Sequence, residues 1–202
     1  MTATALPVAT VLSLCVYCGS RAGTDPAFER AARALGSAVG RRGWQLVYGG
    51  GHAGLMGCVA DAALAAGARV VGVIPHGLMQ RELGHGGLTE LHVVESMHER
   101  KRLMADRSDA FVALPGGIGT LEELFEAWTW RQLGMHAKPV GLLDVGGYYG
   151  GLLGFLDHAV RQGFVPEGQH ALLQVDSDIE TLLDRLETLA AQAPQASDYR
   201  NI

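Results

Sequence analysis

The chain has 202 residues, 16 basic against 21 acidic side chains, a net charge of −5 with histidine neutral, and 48% hydrophobic content. That length suits one sizeable α/β domain of ordinary globular composition. The acidic balance offers no broad basic field, which excludes a general binder of nucleic acid or of anionic membranes, whereas a small anionic ligand needs only a local site.

The segment "MTATALPVATVLSLCVYCGS" has an apolar stretch but no basic start, so it reads as a tail over 1–9 leading into a core strand at 11–17, not as a signal peptide. No apolar run reaches the roughly 18–20 residues of a membrane span. A helix follows at 25–42, then a strand at 44–49 and a helix at 53–66. The strand at 68–75 leads into the irregular, glycine-rich stretch 76–90. Next come a strand at 91–95, a helix at 97–108, a strand at 110–115 and a helix at 120–134. A strand at 138–144, a helix at 148–162, a strand at 171–175 and a helix at 178–191 complete a single domain over 10–192, with a solvated tail at 193–202. Short β-rich runs separated by helices predict a parallel sheet with helices on both faces. Such a sheet binds ligands at the carboxyl ends of its strands. "CGSR", "GGGHAGLMG" and "PGGIGT" fall there.

"GGGHAG" at 49–54 fits G-x-G-x-x-G, but it follows the second strand, and the next strand ends "VVGVIPHG" without the acid that would hold ribose hydroxyls. A dinucleotide site is therefore not expected. "GGIGTLEE" lacks the Lys-Ser/Thr of a Walker A loop. Two readings of it remain open: a phosphate cradle of backbone N–H groups at a helix start, or a tight strand-to-helix turn that needs glycines.

Two carboxylates follow that loop. Thr120 and Glu123 have the spacing of a capping box, with Thr120 as N-cap, and carboxylates in a first turn are favoured by the helix dipole. Leu121, Leu124, Phe125 and Trp128 form one apolar stripe, while Glu123 shares another side with Trp130 and Leu133. That second apolar side predicts a homodimer contact. In "ESMHERKRLMADRSDA", Ser96 and Glu99 form a capping box that sets Arg100 and Lys101 at a helix start. Arg100 falls on the core-facing stripe, where it needs an anionic partner, forms a structural salt bridge, or snorkels outward.

Cys15 and Cys18 of "CVYC" lie in a predicted strand, where positions i and i+3 face opposite ways, so they read with Cys58 as buried reduced thiols of a cytosolic protein. The eight histidines show no metal-ligand spacing, and no metal cluster is expected.

"YCGSR", "YGGGHAGLMG", "GVIPHGL", "ESMHERK" and "PGGIGTLEELFEAWTWRQLGMHAKPVGLL" together resemble the LOG family, the cytokinin riboside 5′-monophosphate phosphoribohydrolases. The resemblance implies a Rossmann-like α/β domain, a cytoplasmic homodimer or assembly of dimers, and no cofactor. It implies hydrolysis of the N-glycosidic bond of an adenosine 5′-monophosphate, often N6-substituted, to free base and ribose 5-phosphate. The family's catalytic pair falls on Arg100 and Glu123. Its nucleotide-binding positions fall on Gly19, Ser20, Gly50, Gly51, Gly116, Gly117, Gly119 and Thr120, with Glu122 at the sugar and Lys101 a further substrate-binding position. Met97, Met135 and the 76–90 loop are candidates for the base pocket. The label lysine decarboxylase, often carried by such proteins, would require a Schiff-base lysine. The two lysines, Lys101 in "HERKR" and Lys138 before a proline at a strand start, do not suit that role. The alternative is a non-catalytic carrier of a phosphorylated cofactor such as the molybdenum cofactor, which has no need of the Arg100–Glu123 pair.

Overall fold

The computed structural model describes residues 11–79 and 84–194. The predicted tail over 1–9, most of the tail over 193–202 and part of the 76–90 loop lie outside the described residues. Seven strands form one all-parallel sheet in the order β4-β3-β2-β1-β5-β6-β7. They are β1 (Ser13–Tyr17), β2 (Gln45–Tyr48), β3 (Arg69–Pro75), β4 (Glu90–Val94), β5 (Ala110–Ala113), β6 (Val140–Leu143) and β7 (Leu173–Asp176). The described helices are α1 (Pro26–Arg41), α2 (Gly54–Ala65), α3 (Met97–Asp106), α4 (Ile118–Gln132), α5 (Gly150–Arg161), the single turn α6 (Glu167–His170) and α7 (Ile179–Gln192).

Strand residues alternate between two buried layers because successive side chains point to opposite faces. Leu14, Val16 and Cys18 meet α1, α2 and α7, whereas Cys15 and Tyr17 meet α3, α4 and α5. The expected sheet with helices on both faces is therefore present. Cys15, Cys18 and Cys58 are unpaired and buried, with Cys15 and Cys18 in opposite layers. Among the described residues no helix is long and apolar enough to cross a membrane.

Local chemistry sets the helix starts. The Asp25 carboxylate accepts the Ala27 N–H at 2.8 Å with Pro26 in the first turn of α1. At α3 the Ser96 hydroxyl accepts the Glu99 N–H at 3.1 Å, as the capping box predicted, although the Glu99 carboxylate reaches back to the Glu95 N–H at 3.0 Å instead of that of Ser96. The box predicted at α4 is not formed. That helix begins two residues earlier, at Ile118, with Gly117 as N-cap and no side-chain cap. Thr120 thus lies inside the first turn and is buried.

β1 sits between β2 and β5, and the chain winds outward from it in both directions. This is the point where strand order reverses, and a crevice opens there at the carboxyl ends of the strands.

Candidate functional site

That crevice is a cavity of about 570 Å³. Its floor is made where the loops after β1 and β5 touch. The Gly19 N–H donates to the Pro115 carbonyl at 3.1 Å, and the Leu55 N–H donates to the Gly19 carbonyl at 3.0 Å, which ties the start of α2 to the same loop. Neither loop could come so close with a side chain at the contact. A Cβ on Gly19 would stand 3.3 Å from the Gly116 Cα, and one on Gly116 would stand 2.9 Å from the Gly19 nitrogen and overlap the Thr120 side chain. Above this contact α4 starts on glycine, so its first N–H groups face the cavity without competition from a capping side chain.

Of the residues expected from the sequence, Gly19, Ser20, Met97, Arg100, Gly116, Gly117, Gly119, Thr120, Glu122 and Glu123 line this cavity. Gly50, Gly51 and Lys101 lie off its wall. The Gly50 carbonyl accepts the His85 N–H at 3.0 Å, and Gly51 forms an antiparallel bridge with Gly84.

Arg100 is turned inward, as its place on the helical wheel predicted, and is 5% exposed. Its Nε donates to the Val73 carbonyl at 3.1 Å and its Nη2 to the Gly49 carbonyl at 3.0 Å. Two main-chain oxygens near the ends of β3 and β2 thus fix the guanidinium at the cavity. Glu123, partly buried, lines the same cavity from α4. Its negative charge is felt at the end of β1. Burial pushes the Cys15 thiol up to about 12 and raises Tyr17 and Cys18 strongly, and the Glu123 carboxylate adds to each rise. These thiols are therefore protonated and inert beside the cavity.

Lys101 faces α4. Its ammonium bridges Glu122 at 2.5 Å and Glu126 at 2.9 Å, and so clamps α3 to α4. Lys138 stands just before β6, at the amino end of the sheet and away from the cavity, with its ammonium donating to the Ala105 carbonyl at 2.8 Å. With Lys101 held by two carboxylates and Lys138 at the other end of the sheet, the residues present do not fit a pyridoxal Schiff base in this cavity.

Among the lining residues not expected from the sequence are Tyr148 and Phe28. Tyr148 donates its hydroxyl to the Gly116 carbonyl at 2.6 Å and meets Phe28 edge to face with ring centroids 5.4 Å apart. Leu78, within the 76–90 loop expected at the base pocket, lines the cavity as Met97 does. Tyr148 and Phe28 follow β6 and β1, so the rule that ligands sit at strand carboxyl ends was the available signal for both. One grouping of histidines was not visible in the sequence. His52 and His85 converge on Asp61, from positions too far apart in sequence for any local spacing rule to pair them. Trp130, expected at a dimer seam, is already 7% exposed within the chain's own core, whereas Leu133 is 62% exposed.

A family model described as possible lysine decarboxylase matches residues 56–186. A cytokinin riboside 5′-monophosphate phosphoribohydrolase of Arabidopsis thaliana is 50% identical over 175 residues, covering 86% of this chain and 82% of that protein. A probable cytokinin riboside 5′-monophosphate phosphoribohydrolase of Oryza sativa subsp. japonica is 52% identical over 174 residues, 86% of this chain and 77% of that protein. Among solved structures, a Moco carrier protein from Chlamydomonas reinhardtii superposes with a TM-score of 0.68 over 90% of this chain and 99% of that one. At 23% identity it shares the fold, and that likeness says nothing of function.

Proposed function

The chain belongs to the LOG family of cytokinin riboside 5′-monophosphate phosphoribohydrolases, and from that premise we propose that it hydrolyses adenosine 5′-monophosphates, N6-substituted ones included, to free base and ribose 5-phosphate. The observation that carries this reading is convergence. "MHERK" and "PGGIGTLEE" start two helices on one face of the sheet, and both helices deliver side chains to one cavity at the strand-order reversal.

The phosphate lies against the N–H groups of Gly116–Thr120 at the start of α4, with Gly19 and Ser20 beneath it. The ribose then extends towards the second turn of α4. As the bond between C1′ and the base nitrogen breaks, positive charge grows on the sugar ring, and Glu123 stabilises it or directs the attacking water. Water supplies hydroxide to C1′ and a proton to the leaving base. Arg100, held by two carbonyls, positions the anionic groups. Glu122, one oxygen of which is engaged by Lys101, accepts a ribose hydroxyl. Gly50 and Gly51 support the site from behind, through the carbonyl of neighbouring Gly49 that holds Arg100.

We place the enzyme in the cytoplasm, which three free thiols support, and as a homodimer with exposed Leu133 at the contact. The test is release of ribose 5-phosphate from AMP and from N6-isopentenyl-AMP. Glu123→Gln should lower turnover by about a hundredfold or more while the melting temperature holds. Wild-type turnover by that variant refutes the assignment, and no release from either nucleotide by the wild type refutes the reading.

A further inference from the structure

Three side chains that do not line the cavity meet elsewhere on the molecule. His52 comes from the loop before α2, Asp61 from within α2, and His85 from the segment after β3. His52 Nε2 lies 3.5 Å from Asp61 Oδ2, and His85 Nε2 lies 2.9 Å from Asp61 Oδ1. The three ligand atoms all fall within 4.8 Å of one another. A four-coordinate ion with bonds of about 2.0–2.2 Å spaces its ligand atoms roughly 3.3 Å apart. Closing the set therefore takes side-chain shifts of about 1.5 Å or less. His52 and Asp61, 54% and 47% exposed, have room to make them. His85 is the fixed member, 7% exposed.

We propose that His52, Asp61 and His85 bind a divalent transition-metal ion of the zinc type, with water completing the coordination shell. Two imidazole nitrogens and one carboxylate suit zinc or cobalt, whereas magnesium and calcium prefer oxygen throughout.

One rearrangement is required. The Gly87 N–H donates to His85 Nδ1 at 3.1 Å, so the ring proton resides on Nε2 and points at Asp61. Metal entry moves that proton to Nδ1 and turns the Gly87 N–H away, which the exposed Gly86–Gly87 pair permits. No proton is lost from the cluster. The ion fastens the His85 segment to the loop it already contacts through the Gly50 carbonyl and the Gly51–Gly84 bridge. The neighbouring Gly49 carbonyl holds Arg100, so the site stiffens one support of the cavity.

The experiment strips the full-length protein with a chelator and titrates it with cobalt(II), followed by competition with zinc. One cobalt per chain is expected, with visible bands of low coordination number that zinc abolishes. His52→Ala and Asp61→Asn should each weaken binding by roughly tenfold or more, and His158→Ala, at an exposed position away from the cluster, should not. Absence of stoichiometric cobalt binding, or equal affinity in His52→Ala and the wild type, overturns the proposal. Exposed His52 carries the test because the His85 Nε2–Asp61 Oδ1 contact does not run through it.

Discussion

Lys101→Met removes one charge from the contact between α3 and α4 while keeping the length of the side chain. The Lys101 side chain is 10% exposed, and its partners Glu122 and Glu126 are 48% and 23% exposed. Exposed ion pairs contribute about 0.2–1 kcal/mol, and removing one member of a fully buried pair costs about 3–5 kcal/mol. With the ammonium buried and the carboxylates partly in water, a loss of about 2 kcal/mol falls between these limits. Glu122 and Glu126, one turn apart and no longer neutralised, add about 0.2–0.5 kcal/mol of repulsion. A domain of this size shifts by about 2–4 °C per kcal/mol, so the melting temperature should fall by about 4–10 °C. The pH dependence is a second check. Burial pushes the Lys101 ammonium down, but hydrogen bonds and charge from Glu122 and Glu126 outweigh it and leave it above its ordinary value of 10.5. A raised folded value means the contribution is complete below the unfolded value and is lost as pH rises through the folded one. The gap between variant and wild type should thus be constant from about pH 6 to 9 and narrow in stronger alkali. Calorimetry across that range measures both, and a variant melting within about 1 °C of wild type at neutral pH refutes the reasoning.

Three further outcomes follow from other parts of the molecule. His136 is buried between the Ala127 carbonyl and the Lys138 N–H, and desolvation pushes its imidazole from 6.5 down to about 4. A depressed folded value makes its neutral form stabilising above pH 6.5 and costs about 3 kcal/mol as pH falls to about 4. Denaturant unfolding in that window should show the slope, and His136→Gln should flatten it. Gly36→Val should lower the denaturation midpoint by the roughly 1–3 kcal/mol of overpacking, because a Cβ there would stand 2.9 Å from the Ala63 nitrogen of α2. Tyr148→Phe loses the hydrogen bond to the Gly116 carbonyl and should raise KM for the nucleotide about fivefold, with less than about 1 kcal/mol of lost stability.

The strands and long helices were legible because short apolar runs of four to seven residues alternate with longer helical stretches. Arg100 was legible as inward because its wheel position lies between Leu103 and Met104. The single turn α6 has no such pattern and follows from Pro166 at its N-cap. The start of α4 was misplaced because "GGIGT" offers Thr120 as a conventional cap, while the true start rests on Gly117 and needs no side chain. The partners of Lys101 and the cluster at Asp61 were invisible for another reason. Both join helices or loops 21 to 24 residues or more apart, and only tertiary packing decides which faces meet.

The start of α4 alters what its two glutamates are for. A capping box would have tied the Glu123 carboxylate to its own helix. Beginning at Ile118 places both glutamates in the second turn, where the dipole stabilises carboxylates little. Lys101 neutralises Glu122, and Glu123 projects its charge onto the buried end of β1. A carboxylate about 6 Å from a doubly charged phosphate at an effective dielectric of about 20 is repelled by roughly 5 kcal/mol, a cost the α4 amides and Arg100 must offset before anything binds. A full positive charge at C1′ about 3.5 Å away would return nearly as much, and only as the bond breaks. The carboxylate therefore weakens the ground state and strengthens the transition state, which is the arrangement that raises turnover. Replacing it by a neutral isostere should separate the two effects: Glu123→Gln should bind AMP at least as tightly as the wild type while releasing almost no ribose 5-phosphate. Calorimetric binding that is instead weakened in step with turnover would show that Glu123 serves the ground state, and the assignment of its charge to the departing base's sugar would be wrong.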